Sequence, residues 1–304
     1  MADLLPSWRA GPAREAILAF LSNAERMPAL RRVAVLDQDG TLLCERPVPL
    51  QLAFFLHEMR TRVAADRQLA DRADYRMLLA AEPQTLSDFG LRRIVRMMAE
   101  FAAEITPEEF AQRVRAFMNT ARHPTRGVPY PELVYQPMRE LIDALRAHRF
   151  AVFLSTVAGI EFLRVIGPDL YGVPPEAVVG IPATYRYDDR AGHPRLIRTG
   201  EISAELNEGP AQVLNLQAQL GRRPIFVAAN SPGDRAMIDY TLAGDGPSMA
   251  VLIDHDDAQR EYAYQSQAYT FTEDEPIAQT GRRLGWTVVS MREDWTRVFA
   301  RDGD

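Results

Sequence analysis

The sequence predicts an α/β fold: a parallel sheet with helices between its strands and an all-helical insertion directly after the first strand. Three observations lead there. Short apolar, β-branched runs alternate with helically spaced apolar residues along most of the 304-residue chain. The first of these runs ends in a cluster of acidic residues and glycine. The stretch after that cluster, residues 47–130, carries helical periodicity and no convincing strand. The expected division is a core of residues 1–46 and 131–304 and a helical cap of residues 47–130.

In chain order, Arg31-Arg-Val-Ala-Val-Leu36 reads as a buried strand running into the polar turn Asp37-Gln-Asp-Gly-Thr41. In the insertion, Leu91, Ile94, Val95, Met98, Ala102 and Ile105 recur at helical spacing. Thr106-Pro-Glu-Glu109 is a capping box with proline at the first helical position. Its threonine and glutamate side chains can each satisfy an orphan N–H at the helix start. Phe110, Val114, Phe117 and Met118 form the stripe that this helix buries, and Met97 and Met98 read as core rather than as a ligand box. Pro124, Gly127, Pro129 and Pro131 punctuate the return to the sheet. A helix then starts at Pro137, with Met138, Leu141, Ile142 and Leu145 on one face, and a strand covers Phe150–Ser155. A small hairpin spans Thr184–Thr199, turning at Asp189–Gly192. The helix Gln212–Leu220 closes on Gly221, which takes a left-handed C-cap at little cost. Strands follow at Pro224–Ala229 and Ser248–Ile253, and the tail suggests a last strand at Gly285–Ser290 and a helix near Trp295.

Composition removes several function classes. The net charge of −6 argues against a nucleic-acid partner. The single cysteine, Cys44, excludes a disulfide framework or a cysteine-built metal site, and it reads as a packed residue rather than a nucleophile. The apolar runs fall far short of the ~20 residues that a membrane span needs. The opening residues lack the order of a secretory signal, so a cytoplasmic protein is expected. All 35 basic residues are arginine, so no step of chemistry here can use a lysine ammonium group.

Ligands of an open parallel sheet bind beyond the carboxyl ends of its strands. The strands above bring Asp37 and Asp39, Ser155 and Thr156, and Asn230-Ser-Pro-Gly-Asp234 to such ends. Three carboxylates and an amide make an oxygen-rich cluster suited to a hard cation such as Mg²⁺. A carboxylate can also act as a nucleophile, with its neighbour as acid or base.

Val33-Ala-Val-Leu-Asp-Gln-Asp-Gly-Thr-Leu42 resembles motif I of the haloacid dehalogenase superfamily, a hydrophobic strand followed by DxDGT. Ala229-Asn-Ser-Pro-Gly-Asp234 resembles its motif IV, GDSxxD, with Asn230 for the first aspartate and Pro232 as a second departure. Thr156 matches the Ser/Thr of motif II, with Ser155 the alternative if the strand ends one residue earlier. The helical insertion lies where the C1-type cap of the superfamily sits. The phosphoserine-phosphatase-like branch is most similar, through the Trp8 segment, Cys44-Glu-Arg and Gly221-Arg-Arg-Pro.

That resemblance implies a Rossmann-like core and Mg²⁺-dependent hydrolysis of a small-metabolite phosphomonoester. It implies that Asp37 forms an aspartyl phosphate, that Asp39 protonates the leaving group and then activates water, and that Thr156 binds phosphoryl oxygens. Mg²⁺ would be held by Asp37, the Asp39 carbonyl, and Asn230 or Asp234. An aspartate at position 39 favours phosphoryl chemistry over dehalogenation. Thr41, Ser155, Glu45 and Arg46 are the expected substrate contacts; for Glu45 and Arg46 a hinge salt bridge is the other reading.

The lysine of motif III has no counterpart, and Gln212 occupies its place. An arginine from elsewhere (Arg195, Arg198, Arg222 or Arg223) is one replacement for the charge. A slow or chemically altered enzyme is a second reading, and a non-catalytic protein that binds a phosphorylated metabolite or serves a biosynthetic pathway is a third. His255-Asp-Asp257 reads either as a substrate contact or, preferably, as the cap of a helix containing Glu261. His57, His123, His148 and His193 share no metal-ligand spacing.

Overall fold

The computed structural model describes residues 4–80, 90–190, 192–202 and 205–301. Helix α1 (Pro12–Ala24) precedes the first strand, β1 (Val33–Asp37). Among the described residues five helices follow: α2 (Leu50–Ala65), α3 (Arg67–Ala70), α4 (Ala73–Ala80), α5 (Leu91–Phe101) and α6 (Pro107–Thr120). Among the described residues of that stretch there is no strand. The chain continues through α7 (Gln136–Ala147), β2 (Ala151–Gly159), α8 (Ile160–Tyr171), β3 (Val178–Ile181), and a hairpin of β4 (Ala183–Asp188) and β5 (Arg195–Ile202). It ends with α9 (Pro210–Leu220), β6 (Phe226–Ala229), α10 (Arg235–Leu242), β7 (Met249–Asp254), α11 (Ile277–Leu284), β8 (Thr287–Ser290) and α12 (Met291–Asp294).

Six parallel strands form the main sheet in the order β3-β2-β1-β6-β7-β8. The chain steps outward from β1 to β3, then crosses to the other side of β1 to begin β6. The switch point between β1 and β6 opens a crevice at their carboxyl ends. This is the α/β fold that the alternating pattern predicts.

The alternation of side chains along β1 assigns the two faces of the sheet. Ala34 and Leu36 enter a core with Phe20 and Leu21 of α1 and Leu141 and Leu145 of α7. Val35 enters the opposite core with Leu216 of α9 and Met237 and Ile238 of α10. Asp37, two residues beyond Val35, therefore stands on the α9 face.

Local signals are realised where contacts are local. Thr106 Oγ1 accepts from the Glu109 N–H at 3.1 Å, and the Glu109 carboxylate accepts from the Thr106 N–H at 2.8 Å. Phe110, Val114 and Phe117 are buried, and Phe54 of α2 packs edge-on against both phenylalanines. Ile94, Val95 and Met97 are buried as expected, whereas Met98 is only half-buried; the Leu91 side chain lies outside the described residues.

Longer-range features differ from expectation. The strand expected to end at Ser155 continues to Gly159 and carries both Ser155 and Thr156 inside it. Strand β3 has only four residues, too few for a periodic signal. The hairpin docks on the helical insertion: the Arg198 N–H donates to the Ile105 carbonyl and the Glu104 N–H to the Arg198 carbonyl, both at 2.9 Å. No helix contains Glu261; residues 255–263 form turns and a bridge. Among the described residues, no helix is long and apolar enough to cross a membrane.

Candidate active site

Beyond Asp37 the backbone folds back on itself. The N–H groups of Leu42 and Thr41 donate to the Gln38 carbonyl at 2.9 and 3.3 Å, and the Gly40 N–H donates to the Leu43 carbonyl at 2.9 Å. Gly40 has φ +73°, a region L side chains rarely adopt, and a Cβ there would lie 2.1 Å from Asn230 Nδ2 and 2.9 Å from Glu45 Oε1. Glycine is therefore what lets the amide and the carboxylate press against the turn. Thr41 is fully buried, stays off the wall of the cavity and donates to Asn230 Oδ1 at 3.1 Å, which orients the amide. Asn230 Nδ2 faces Ser266 Oγ at 3.1 Å and Glu45 at 3.4 Å.

His255 supports this turn from below. Its Nε2 lies 2.8 Å from the Gly40 carbonyl and its Nδ1 3.4 Å from Glu261, and its side chain is inaccessible to solvent. It positions the turn and does not belong to the wall of the cavity. Asp257 caps a turn rather than a helix, accepting from the N–H groups of Gln259 and Arg260, both at 3.1 Å.

On the α9 face, the register pairs Asp37 with Ser155. Ser155 Oγ accepts from Gln212 Nε2 at 3.2 Å and from Asn207 Nδ2 at 3.1 Å. Gln212 Nε2 also donates to Asp234 Oδ1 at 2.9 Å, and Ser231 Oγ donates to Asp234 Oδ2 at 2.8 Å. Thr156 points to the other face, its methyl group against Gly180 and its hydroxyl accepting from the Ala158 N–H at 3.4 Å. Ser155, and not Thr156, is thus the hydroxyl beside Asp37. The reason is the two-residue period of a strand that runs through both positions.

The four arginines considered for the missing lysine are engaged elsewhere. Arg195 lies 3.5 Å from Asp188, and Arg198 stacks on Phe110 and donates to the Ala102 carbonyl. Arg222 donates to the Leu30 carbonyl, and Arg223 lies over the Tyr240 ring. Among the described residues, Arg46 is the basic side chain on the wall of the site. It lies 4.1 Å from the Tyr264 ring centroid, and its Nε is buried without a partner. Glu45 accepts from the Tyr264 hydroxyl at 2.7 Å.

Burial and repulsion between neighbouring carboxylates raise Asp37, Asp39 and Asp234. Asp37 is pushed well up, first by burial and then by Asp234, Asp39 and Glu45. Burial, with Glu45, lifts Asp39 to about 7, and one of its oxygens is buried without a partner. Burial lifts Asp234 to about 6 against the hydrogen bonds from Gln212 and Ser231. Between pH 3.8 and their folded values these groups are protonated in the folded protein and ionised in the unfolded chain. The folded state then holds more protons, so stability falls as pH rises through that window. In EDTA the Tm is expected to drop by several degrees between about pH 4 and about pH 7, and Mg²⁺ is expected to remove most of the drop. A Tm that is flat with pH in EDTA would contradict this electrostatic picture.

The carboxylates open into a cavity of about 420 Å³, within the range of small-molecule sites. Leu52 of α2, Val95 and Met98 of α5, and Gln265, Gln267 and Tyr269 of the segment after β7 complete its walls. That segment is tied down at three points: Tyr264 on Glu45, Ser266 on Asn230, and the Tyr269 and Thr270 N–H groups on the Glu208 carboxylate at 2.8 and 2.9 Å. Gly233 makes room for this, because a Cβ there would lie 2.5 Å from Glu208 Oε1. Asn207, Glu208, Tyr264 and Tyr269 are not singled out by sequence reading. The available signal is the run Tyr262-Ala-Tyr-Gln-Ser-Gln-Ala-Tyr269, aromatic and amide-rich with no helical or strand period, directly after a strand end.

No protein-family profile and no curated protein matches the chain. Solved structures do. A protein of unknown function from Bordetella pertussis Tohama I is 16% identical with a TM-score of 0.55, over 85% of this chain and 98% of that one. A conserved, functionally unknown protein from Anaerococcus prevotii DSM 20548 is 13% identical with a TM-score of 0.56, over 84% and 89%. At such identities the likeness is one of fold alone. A phosphoserine phosphohydrolase-like protein from Francisella tularensis subsp. tularensis SCHU S4 is 12% identical over 83% and 99%, at a TM-score of 0.41 that supports no functional argument.

Proposed function

We propose that this chain is a phosphohydrolase of the haloacid dehalogenase type, acting on a small-metabolite phosphomonoester through an aspartyl phosphate on Asp37. One observation carries the reading. Asp37, Asp39, Ser155, Gln212 and Asp234 meet at the switch point of a parallel sheet, under a roof made by the cap and the 262–273 segment.

The donors suit Mg²⁺. Among the described residues no three His, Cys, Asp or Glu side chains close on one point as a ready cage. What remains is hard oxygen: the Asp37 carboxylate, the Asp39 carbonyl, and Asp234 or Asn230 Oδ1, whose one hydrogen bond comes from Thr41. Mg²⁺ characteristically binds one or two carboxylates and completes its shell with water and substrate phosphate. The buried, unpartnered Asp39 oxygen and the raised Asp37, Asp39 and Asp234 carboxyls are what a site built around a cation displays. When bound, the cation would neutralise charge on Asp37 and the phosphoryl group.

The side chains of the chain itself divide the remaining work. An Asp37 oxygen bonds to phosphorus as the bond to the leaving oxygen breaks, and Asp39 donates its proton to that oxygen. A value near 7 suits Asp39 to give up a proton and take one back near neutral pH. Asp39 then removes a proton from water, which attacks phosphorus and frees Asp37 and inorganic phosphate. Ser155 Oγ accepts from two amides, which leaves its own proton to donate toward Asp37 and the phosphoryl oxygens. Gln212 holds Ser155 and Asp234 in place. The roof excludes water that would otherwise screen these charges.

Release of inorganic phosphate from phenyl phosphate tests the reading. Turnover is expected with Mg²⁺ and not with EDTA; an identical rate in both would overturn it.

A further inference from the structure

Beside the active-site cavity lies a second, smaller space of about 70 Å³ between α2, α5, the end of β2 and the hairpin. Gln51, Val95, Met98 and Ala158 belong to the walls of both, so the two spaces adjoin. By the volume a water centre occupies, the smaller space offers roughly five water-sized positions, enough for a small hydrocarbon group. Its surface is predominantly apolar, with Phe54, Phe55, Phe101, Phe110 and Ile181 prominent.

The charged side chains around this chamber are largely paired. Glu58 lies 3.8 Å from Arg113, Glu161 3.4 Å from Arg164, and Arg62 donates to the Phe101 carbonyl at 2.9 Å. Arg198 is 8% exposed; the Glu161 carboxylate and the Tyr185 hydroxyl nearby favour its charge, its Nε donates to the Ala102 carbonyl at 3.2 Å, and its Nη1 alone is buried with no hydrogen-bond partner. A buried guanidinium N–H without an acceptor is costly, and a planar fork best matches a carboxylate.

We propose that the leaving group of the substrate carries an apolar arm that enters this chamber and ends in a carboxylate bound by Arg198. This rests on the phosphohydrolase reading and names the substrate class of that same site. The cap and hairpin would then select the arm while the sheet edge handles the phosphoryl group.

The test compares 3-(4-phosphonooxyphenyl)propanoate, its primary amide, and 4-ethylphenyl phosphate, whose phenolic leaving groups are closely similar. kcat/KM is expected to favour the acid over 4-ethylphenyl phosphate by about 10-fold or more, chiefly through KM. Arg198→Met should erase that ratio, and Arg198→Lys should restore part of it. Ala99→Phe, which fills the chamber from α5 and leaves Arg198 intact, should lower kcat/KM for all three arms relative to ethyl phosphate. Calorimetric Kd values for the methylenephosphonate analogues of the three arms are measured beside the rates. If no ester is hydrolysed yet the acid analogue binds tightest and loses that advantage in Arg198→Met, the chamber proposal stands and the phosphohydrolase reading fails. Equal kcat/KM and equal Kd for acid and ethyl arms would overturn the chamber proposal while leaving the hydrolase intact. An amide equal to the acid would overturn the carboxylate assignment.

Discussion

Asp37→Asn is expected to reduce phosphate release by on the order of 10³-fold or more while making the protein more resistant to heat in EDTA. The two effects share one cause. An amide oxygen is a poor nucleophile, so the step that forms the aspartyl phosphate is lost. The same change removes a buried carboxyl that Asp234, Asp39 and Glu45 all oppose. A residue chosen for stability would show the reverse, because truncating a favourable contact lowers Tm. Phosphate release and thermal melts at pH 7.5, with EDTA and with Mg²⁺, read both consequences. Asn at position 37 with wild-type turnover would remove Asp37 as the nucleophile.

Gln212→Lys is expected to raise turnover by about 10²-fold, the scale on which one preorganised charge-stabilising group acts. Gln212 is 1% exposed and its Nε2 already reaches Ser155 and Asp234. A lysine nitrogen at that point would keep both hydrogen bonds and add a positive charge among three raised carboxyls. The substitution would also remove the Gln212 Oε1 atom, which is buried without a partner. Asp37 would ionise at lower pH, and the fall of Tm between about pH 4 and about pH 7 in EDTA should become shallower. Steady-state kinetics with phenyl phosphate and melts across that range check the two results. An unchanged rate would mean that the site already has the positive charge it needs, with Arg46 on the cavity wall as its source.

Much of the framework follows from contacts within a few residues. The apolar run Val33-Ala-Val-Leu36 ending in Asp37-Gln-Asp-Gly marks a strand, a tight turn and two acids at its end, since all of these are local properties of backbone and pleat. The Thr106–Glu109 box forms because both of its hydrogen bonds close within three residues. Gly221 ends α9 in the left-handed region for an equally local reason.

The site itself is only partly of this kind. Whether Ser155 or Thr156 stands beside Asp37 depends on the register of β2 against β1 and on where β2 ends, and neither residue carries that information. The sequence by itself determined the α/β class, the helical character of the insertion and the acidic turn after β1, because these depend on periodicity and short-range hydrogen bonds. Only the tertiary structure decided that Gln212 bridges Ser155 and Asp234, that the hairpin and Arg198 close against the helical insertion, and that the 262–273 segment roofs the carboxylates. Those contacts join residues 22 to 219 positions apart, from Gln212–Asp234 to Tyr264–Glu45. Their formation depends on the packing of whole elements rather than on the preference of any short stretch of chain.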